Sequence, residues 1–130
     1  MNKKHLMNQY KGVQLKTDVE EADPHKLVSM LLNGALQNLI AAKASIEKGA
    51  KAEHGELVGK GISIVEYLRV SLDPGSDLDF AENLGELYRY METRLLDSTM
   101  KNDSAPVAEV IELIKPLRDG WDAIPSEYRN

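Results

Sequence analysis

Three breaker clusters cut this chain into four stretches of helical length, and that punctuation constrains the fold more than any other feature. They are Gly49, the run Asp73-Pro74-Gly75-Ser76, and Asn102-Asp103-Ser104. Proline cannot continue a helix, and Gly and Asn tolerate the left-handed backbone that ends one. Ahead of the first stretch, Asp23-Pro24 is a start signal: Asp accepts a hydrogen bond from an orphan N–H, and Pro suits the first turn. The spacing predicts helices over about 24–48, 53–72, 78–100 and 106–124, with Gly49 just past the first. No stretch sustains an alternation of period two, so strands are not expected. Short loops make successive helices antiparallel neighbours. The fold class is therefore all-α, an antiparallel up-down four-helix bundle over 23–124, with a short N-terminal extension (1–22) and a C-terminal tail (125–130).

The helical faces differ in width. In the fourth stretch Val107, Val110, Ile111, Ile114, Leu117, Trp121 and Ile124 share one arc, and in the third Phe80, Leu84, Leu87, Tyr88, Met91 and Leu95 do so. The first stretch has a core stripe of Val28, Leu31, Leu32, Ala35, Leu39, Ala42 and Ile46, yet Leu27, Met30, Leu36 and Ile40 fall outside it. Apolar groups nearly encircle this helix, which requires cover from the arm, from another chain, or from both. The second stretch is also broad and holds Gly59 and Gly61 in its interior. Each glycine costs roughly 1 kcal/mol against alanine. Two readings stand: close approach of another helix, or a helix kept soft so that a groove can adapt.

The 130 residues suit a single domain able to bury a core. Apolar residues at 42% and charged residues at 28% exclude a disordered chain. With no cysteine, disulfides, thiolate metal sites and cysteine nucleophiles are excluded. The basic residues are dispersed and outnumbered, 16 against 21 acidic ones, which argues against nucleic acid or an anionic membrane as partner. Lys3, Lys4 and His5 have no apolar run behind them, so a secretory signal is not expected, nor is a membrane span, and the cytoplasm is the expected compartment.

Chemistry is equally hard to place. Bundle di-iron sites need Glu-x-x-His pairs, and none precedes His5, His25 or His54, which read as solvated surface histidines. The acidic clusters Asp77-Asp79-Glu82 and Glu109-Glu112 sit where helix starts attract negative charge. Ser29, Ser45, Ser63 and Ser71 lie in helices without a nucleophile elbow. We expect no enzyme activity, no metal and no cofactor.

Particular strings carry a resemblance. Asp23-Pro24-His25-Lys26-Leu27-Val28-Ser29-Met30-Leu31-Leu32-Asn33-Gly34-Ala35 resembles the opening of the flagellar secretion chaperone FliS family. Lys60-Gly61-Ile62-Ser63-Ile64-Val65 and Ser71-Leu72-Asp73 are similar to its second helix and turn. Asn83-Leu84-Gly85-Glu86-Leu87-Tyr88-Arg89-Tyr90-Met91 with Arg94-Leu95 is similar to its third, and Asn102-Asp103 and Leu117-Arg118-Asp119-Gly120-Trp121 complete the pattern. Leu32-Asn33 stand where the family commonly has Tyr and an acidic residue. The resemblance implies a cytosolic chaperone that binds the disordered C-terminal segment of flagellin, prevents its polymerisation and delivers it to the flagellar type III export gate. It also implies that the extension can occupy part of the client groove.

Surplus apolar surface is what such a client needs, because a segment that folds on binding must bury enough area to offset its ordering entropy. Met30, Leu36 and Ile40 with Ile64 and Leu68 are the expected flagellin-binding groove; for each, packing within the bundle or under the arm is the alternative. Leu6 and Tyr10 are the expected N-terminal latch, and the resemblance gives Tyr10 a role in docking at the export gate. Tyr88 and Trp121 read as core, Tyr67 and Tyr90 as exposed. A self-associating helical adaptor is the alternative function, and a metal-dependent bundle enzyme is a remoter one.

Overall fold

The computed structural model describes residues 23–75 and 77–125. Over that range the protein is four helices with short connections and no strand: α1 (Pro24–Glu47), α2 (Lys51–Val70), α3 (Leu78–Lys101) and α4 (Ala105–Asp122). The helices begin and end where the caps dictate. Asp23 Oδ1 accepts from the Lys26 N–H at 2.7 Å, and Pro24 opens α1. At its far end Gly49 takes φ +81°, while the Ala50 N–H reaches the Ser45 carbonyl and the Gly49 N–H that of Ile46. This paired closure needs a left-handed residue at Gly49. Asp77 caps α3 through the Phe80 N–H, and Asn102 ends it in the left-handed region at φ 53°. Asp103 then accepts from the Ala105 N–H and starts α4. Observed and expected boundaries agree within about two residues throughout.

Packing follows a closed ring: α1 lies against α2 and α4, and α3 against the same two. Leu32, Leu39, Val58, Ile64, Val65, Met91, Leu95, Val107, Val110 and Ile114 fill the centre. Gly61 faces α1, where an added Cβ would stand 2.8 Å from Leu39 Cδ2, so its absence permits the close approach of the two helices. Gly59 has open space instead. One of the two glycines is therefore explained by packing and the other is not.

Two histidines correct the expectation of solvated rings. His54 is buried where α1 ends, α2 begins and α3 ends: Nδ1 lies 2.8 Å from the Ala42 carbonyl and Nε2 2.9 Å from Ser98 Oγ. A carbonyl can only accept, so Nδ1 carries hydrogen. The single hydroxyl hydrogen of Ser98 goes to the Asp103 carbonyl at 2.7 Å. His25 is buried at the opposite end of the bundle, stacked on Trp121 with ring centroids 4.8 Å apart and an 11° interplanar angle. Its Nε2–H donates to the Trp121 carbonyl at 2.9 Å, and Trp121 Nε1–H returns a bond to the His25 carbonyl at 2.8 Å. Both rings are buried because each reaches main-chain carbonyls far away in sequence, which a local pattern does not reveal.

Candidate functional site

The ring of helices is not sealed at both ends. Where α1 and α3 begin and α2 and α4 finish, an apolar trough of about 860 Å³ opens to solvent. Leu27, Val28 and Leu31 of α1 form one wall, Tyr67, Leu68 and Leu72 of α2 and its turn the next, Phe80, Leu84 and Tyr88 of α3 the third, and Leu117, Trp121 and Ile124 the fourth. Helix length explains the opening. α3 runs for 24 residues and α4 for only 18. At 1.5 Å per residue the first turns of α3 outrun α4 by about 9 Å. Phe80, placed by periodicity on the packed stripe of α3, is consequently 62% exposed, and Leu84 and Leu87 are half-buried.

Firm ground surrounds the opening. Trp121 is held by its stack and paired bonds to His25, and Leu72 folds back toward Gly85 at a distance a Cβ there would meet at 3.4 Å. Tyr88 lies at the bottom, and burial pushes its phenol up to about 12. Pro116 sits inside α4 beside the trough and cannot donate to the Glu112 carbonyl, which removes one rung from the last turns of that helix. Polar bonds tie the flanks: Ser29 Oγ donates to Asp122 Oδ1, Asn33 Nδ2 to the Ser29 carbonyl, and Arg118 Nη1 to Asn33 Oδ1 at 3.3 Å.

Of the expected groove residues, only Leu68 lines this trough. Leu36 and Ile64 are buried at 3% and 1%, within the core cluster, so a partner cannot reach them while the helices stay packed. Met30 is half-buried, and Ile40, at 54% exposure, stands on the outward side of α1. The five residues thus do not form one groove. Leu6 and Tyr10 lie outside the described residues. The trough residues missed by the sequence reading are chiefly Leu27 and Leu72, which it does not assign to the groove, and Phe80, which looks like an ordinary core position until the length of the neighbouring helix is known.

Away from the trough, polar pairs tie neighbouring helices together. Glu109 Oε2 accepts from the Tyr90 hydroxyl and Oε1 from Arg94 Nε, each at 2.6 Å, tying α3 to α4. Those two donors hold the Glu109 carboxyl below its usual range, and the same bond raises the Tyr90 phenol. Arg69 Nε pairs with Glu92 Oε2 at 2.8 Å between α2 and α3. Among the described residues no cluster of His, Asp or Glu is arranged to hold a metal ion, and no helix is long and apolar enough to cross a membrane.

A four-helix ring with an apolar opening is compatible with many roles, and comparison with known proteins narrows them. The model of the family described as flagellar protein FliS matches residues 6–128. This chain belongs to the FliS family. It is 38% identical over 121 residues to the flagellar secretion chaperone FliS of Vibrio cholerae, covering 93% of this chain and 89% of that one. It is 37% identical over 118 residues to the flagellar secretion chaperone FliSB of Pseudomonas aeruginosa, covering 91% and 94%. Similarity extends to the FliS of Bacillus subtilis, 31% identical over 126 residues, 96% and 92% of the two chains.

Proposed function

We propose that this protein is a cytoplasmic flagellar export chaperone, without enzyme activity, that holds the disordered C-terminal segment of flagellin and keeps it from polymerising before export. The observation that carries this reading is the trough: a FliS-family bundle leaves Leu27, Leu72, Phe80, Leu84 and Trp121 lining an apolar opening at one end. A client folding into a helix recovers its ordering entropy by laying spaced apolar side chains into such a groove. Leu68 serves in the trough wall. Met30 and Ile40 extend the contact along the outside of α1, while Leu36 and Ile64 support both surfaces from within the core. Leu6 and Tyr10 act as the latch that covers part of the surface before the client arrives, and Tyr10 assists docking at the export gate.

The test is co-purification with flagellin. We expect a one-to-one complex by size-exclusion chromatography with the complete client and none with its C-terminal segment deleted. Phe80→Asp, an exposed position, is expected to weaken binding at least tenfold by calorimetry with an unchanged circular dichroism spectrum, and Ile40→Asp to weaken it less. A complex that survives tail deletion, or full affinity in Phe80→Asp, would defeat the reading. A stable dimer indifferent to flagellin would favour the self-associating adaptor.

A further inference from the structure

The trough is apolar within but acidic at its rim. Asp73 and Asp77 line it directly. Asp79 and Glu82 are exposed on the first turn and a half of α3, and Asp23 caps α1. The cations on the same helix ends are already engaged: Arg118 pairs with Asp119 at 3.0 Å, and Arg69 with Glu92. Among the described residues at these helix ends, Lys26 of α1 adds an exposed positive charge. The C-terminal ends of α2 and α4 lie at this same end, but so do the N-terminal ends of α1 and α3, so the helix dipoles offset one another and the carboxylates carry the charge. A partner helix seated in the trough would therefore lay its polar flanks against carboxylates.

We propose that the rim selects its occupant by charge: the segment bound in the trough is an amphipathic helix whose polar flanks carry lysine or arginine, and acidic segments of equal apolarity are rejected. This rests on the trough being the client site. The chain's own leading segment has the chemistry required. Residues 1–17 contain Lys3, Lys4, Lys11 and Lys16 and no carboxylate, interleaved with Leu6, Met7, Tyr10 and Val13. A client that displaces such a latch must match both its apolar spacing and its positive charge. Charged flanks of this kind act mostly on encounter rate and discrimination, and salt screens them over about 8 Å at physiological strength.

Synthetic helical peptides test the rim separately from the client. Three labelled peptides of about 20 residues share one leucine-alanine face and carry Lys, Gln or Glu on the flanks. Fluorescence anisotropy with the full chain is expected to show the Lys peptide binding about tenfold more tightly than the Glu peptide at low salt, at roughly 1 kcal/mol or less per exposed charge pair. The preference should fall to about twofold in 0.5 M salt, and likewise in the double variant Asp73→Asn, Asp77→Asn. Asparagine keeps both the turn bond from the Gly75 N–H and the cap bond from the Phe80 N–H, so the variant retains its fold. Equal binding of the Lys and Glu peptides, or a preference unchanged in the double variant, overturns the proposal. Flagellin binding that fails in Phe80→Asp but is indifferent to the double variant overturns the charge filter while leaving the trough as the client site.

Discussion

At the level of single residues, the buried polar groups govern how the bundle ends are held. His54 joins α1, α2 and α3 through the Ala42 carbonyl and Ser98 Oγ, and Ser98 passes the connection on to the Asp103 carbonyl in the turn before α4. The position is 2% exposed, so a replacement leaves both lost bonds and empty volume. We expect His54→Ala to lower unfolding free energy by about 3 kcal/mol, a buried-site loss of hydrogen bonds plus cavity. Urea denaturation measures it, and a loss below about 0.5 kcal/mol would show that His54 does not pin the three helices. Asn33, half-buried on α1, makes a further polar link. Its side chain bridges the Ser29 carbonyl and Arg118, so a neutral amide supplies a polar link between α1 and α4.

At the level of elements, α2 shows how two glycines two positions apart differ. A Cβ at Gly61 would press on Leu39, itself fully buried, whereas one at Gly59 meets nothing within 4 Å. Gly59→Ala should therefore stabilise the protein by about 0.5–1 kcal/mol through helix propensity and a smaller unfolded-state entropy. Gly61→Ala should destabilise it by about 1–3 kcal/mol, as overpacking does. Opposite shifts of the urea midpoint are the expected result, and two shifts of the same sign would contradict the close α1–α2 contact. In α4 the element-scale feature is Pro116, which interrupts the backbone ladder next to the trough while Val107, Val110, Ile111 and Ile114 remain packed. The well-packed half of α4 thus meets the core, and the half with the missing rung meets the opening.

For the whole molecule, the seam between α3 and α4 depends on pH through an exposed clamp. The Glu109 carboxyl is held low by the Tyr90 hydroxyl first and Arg94 second. A group with a depressed folded-state pKa contributes stability that is complete above its unfolded value and disappears as pH falls through the folded value. The Tyr90 phenol is raised mainly by the bond to Glu109, so its contribution is complete below the ordinary tyrosine range and is lost as pH climbs through the raised value. The clamp therefore works across neutral pH and opens at both extremes. Thermal melts between about pH 3 and 7 should show a shallower acid decline in Glu109→Gln than in the parent protein. The effect is small because the clamp faces solvent. Identical acid slopes would mean that Glu109 carries no part of the pH dependence.

The order, number and limits of the helices were legible from the chain alone, because caps and breakers act over three or four residues: Asp23-Pro24, Gly49, Pro74-Gly75 and Asn102 each took the geometry their chemistry favours. Periodicity also identified the core side of α4 and most of α1. Which apolar side chains stay open was decided only by the tertiary structure. Leu36 fell outside the stripe yet is buried, and Phe80 fell on a stripe yet is exposed, because exposure depends on how far a neighbouring helix extends. The two buried histidines were hidden for the same reason: their partners lie 12, 44 and 96 positions away, and only the closed ring brings them together.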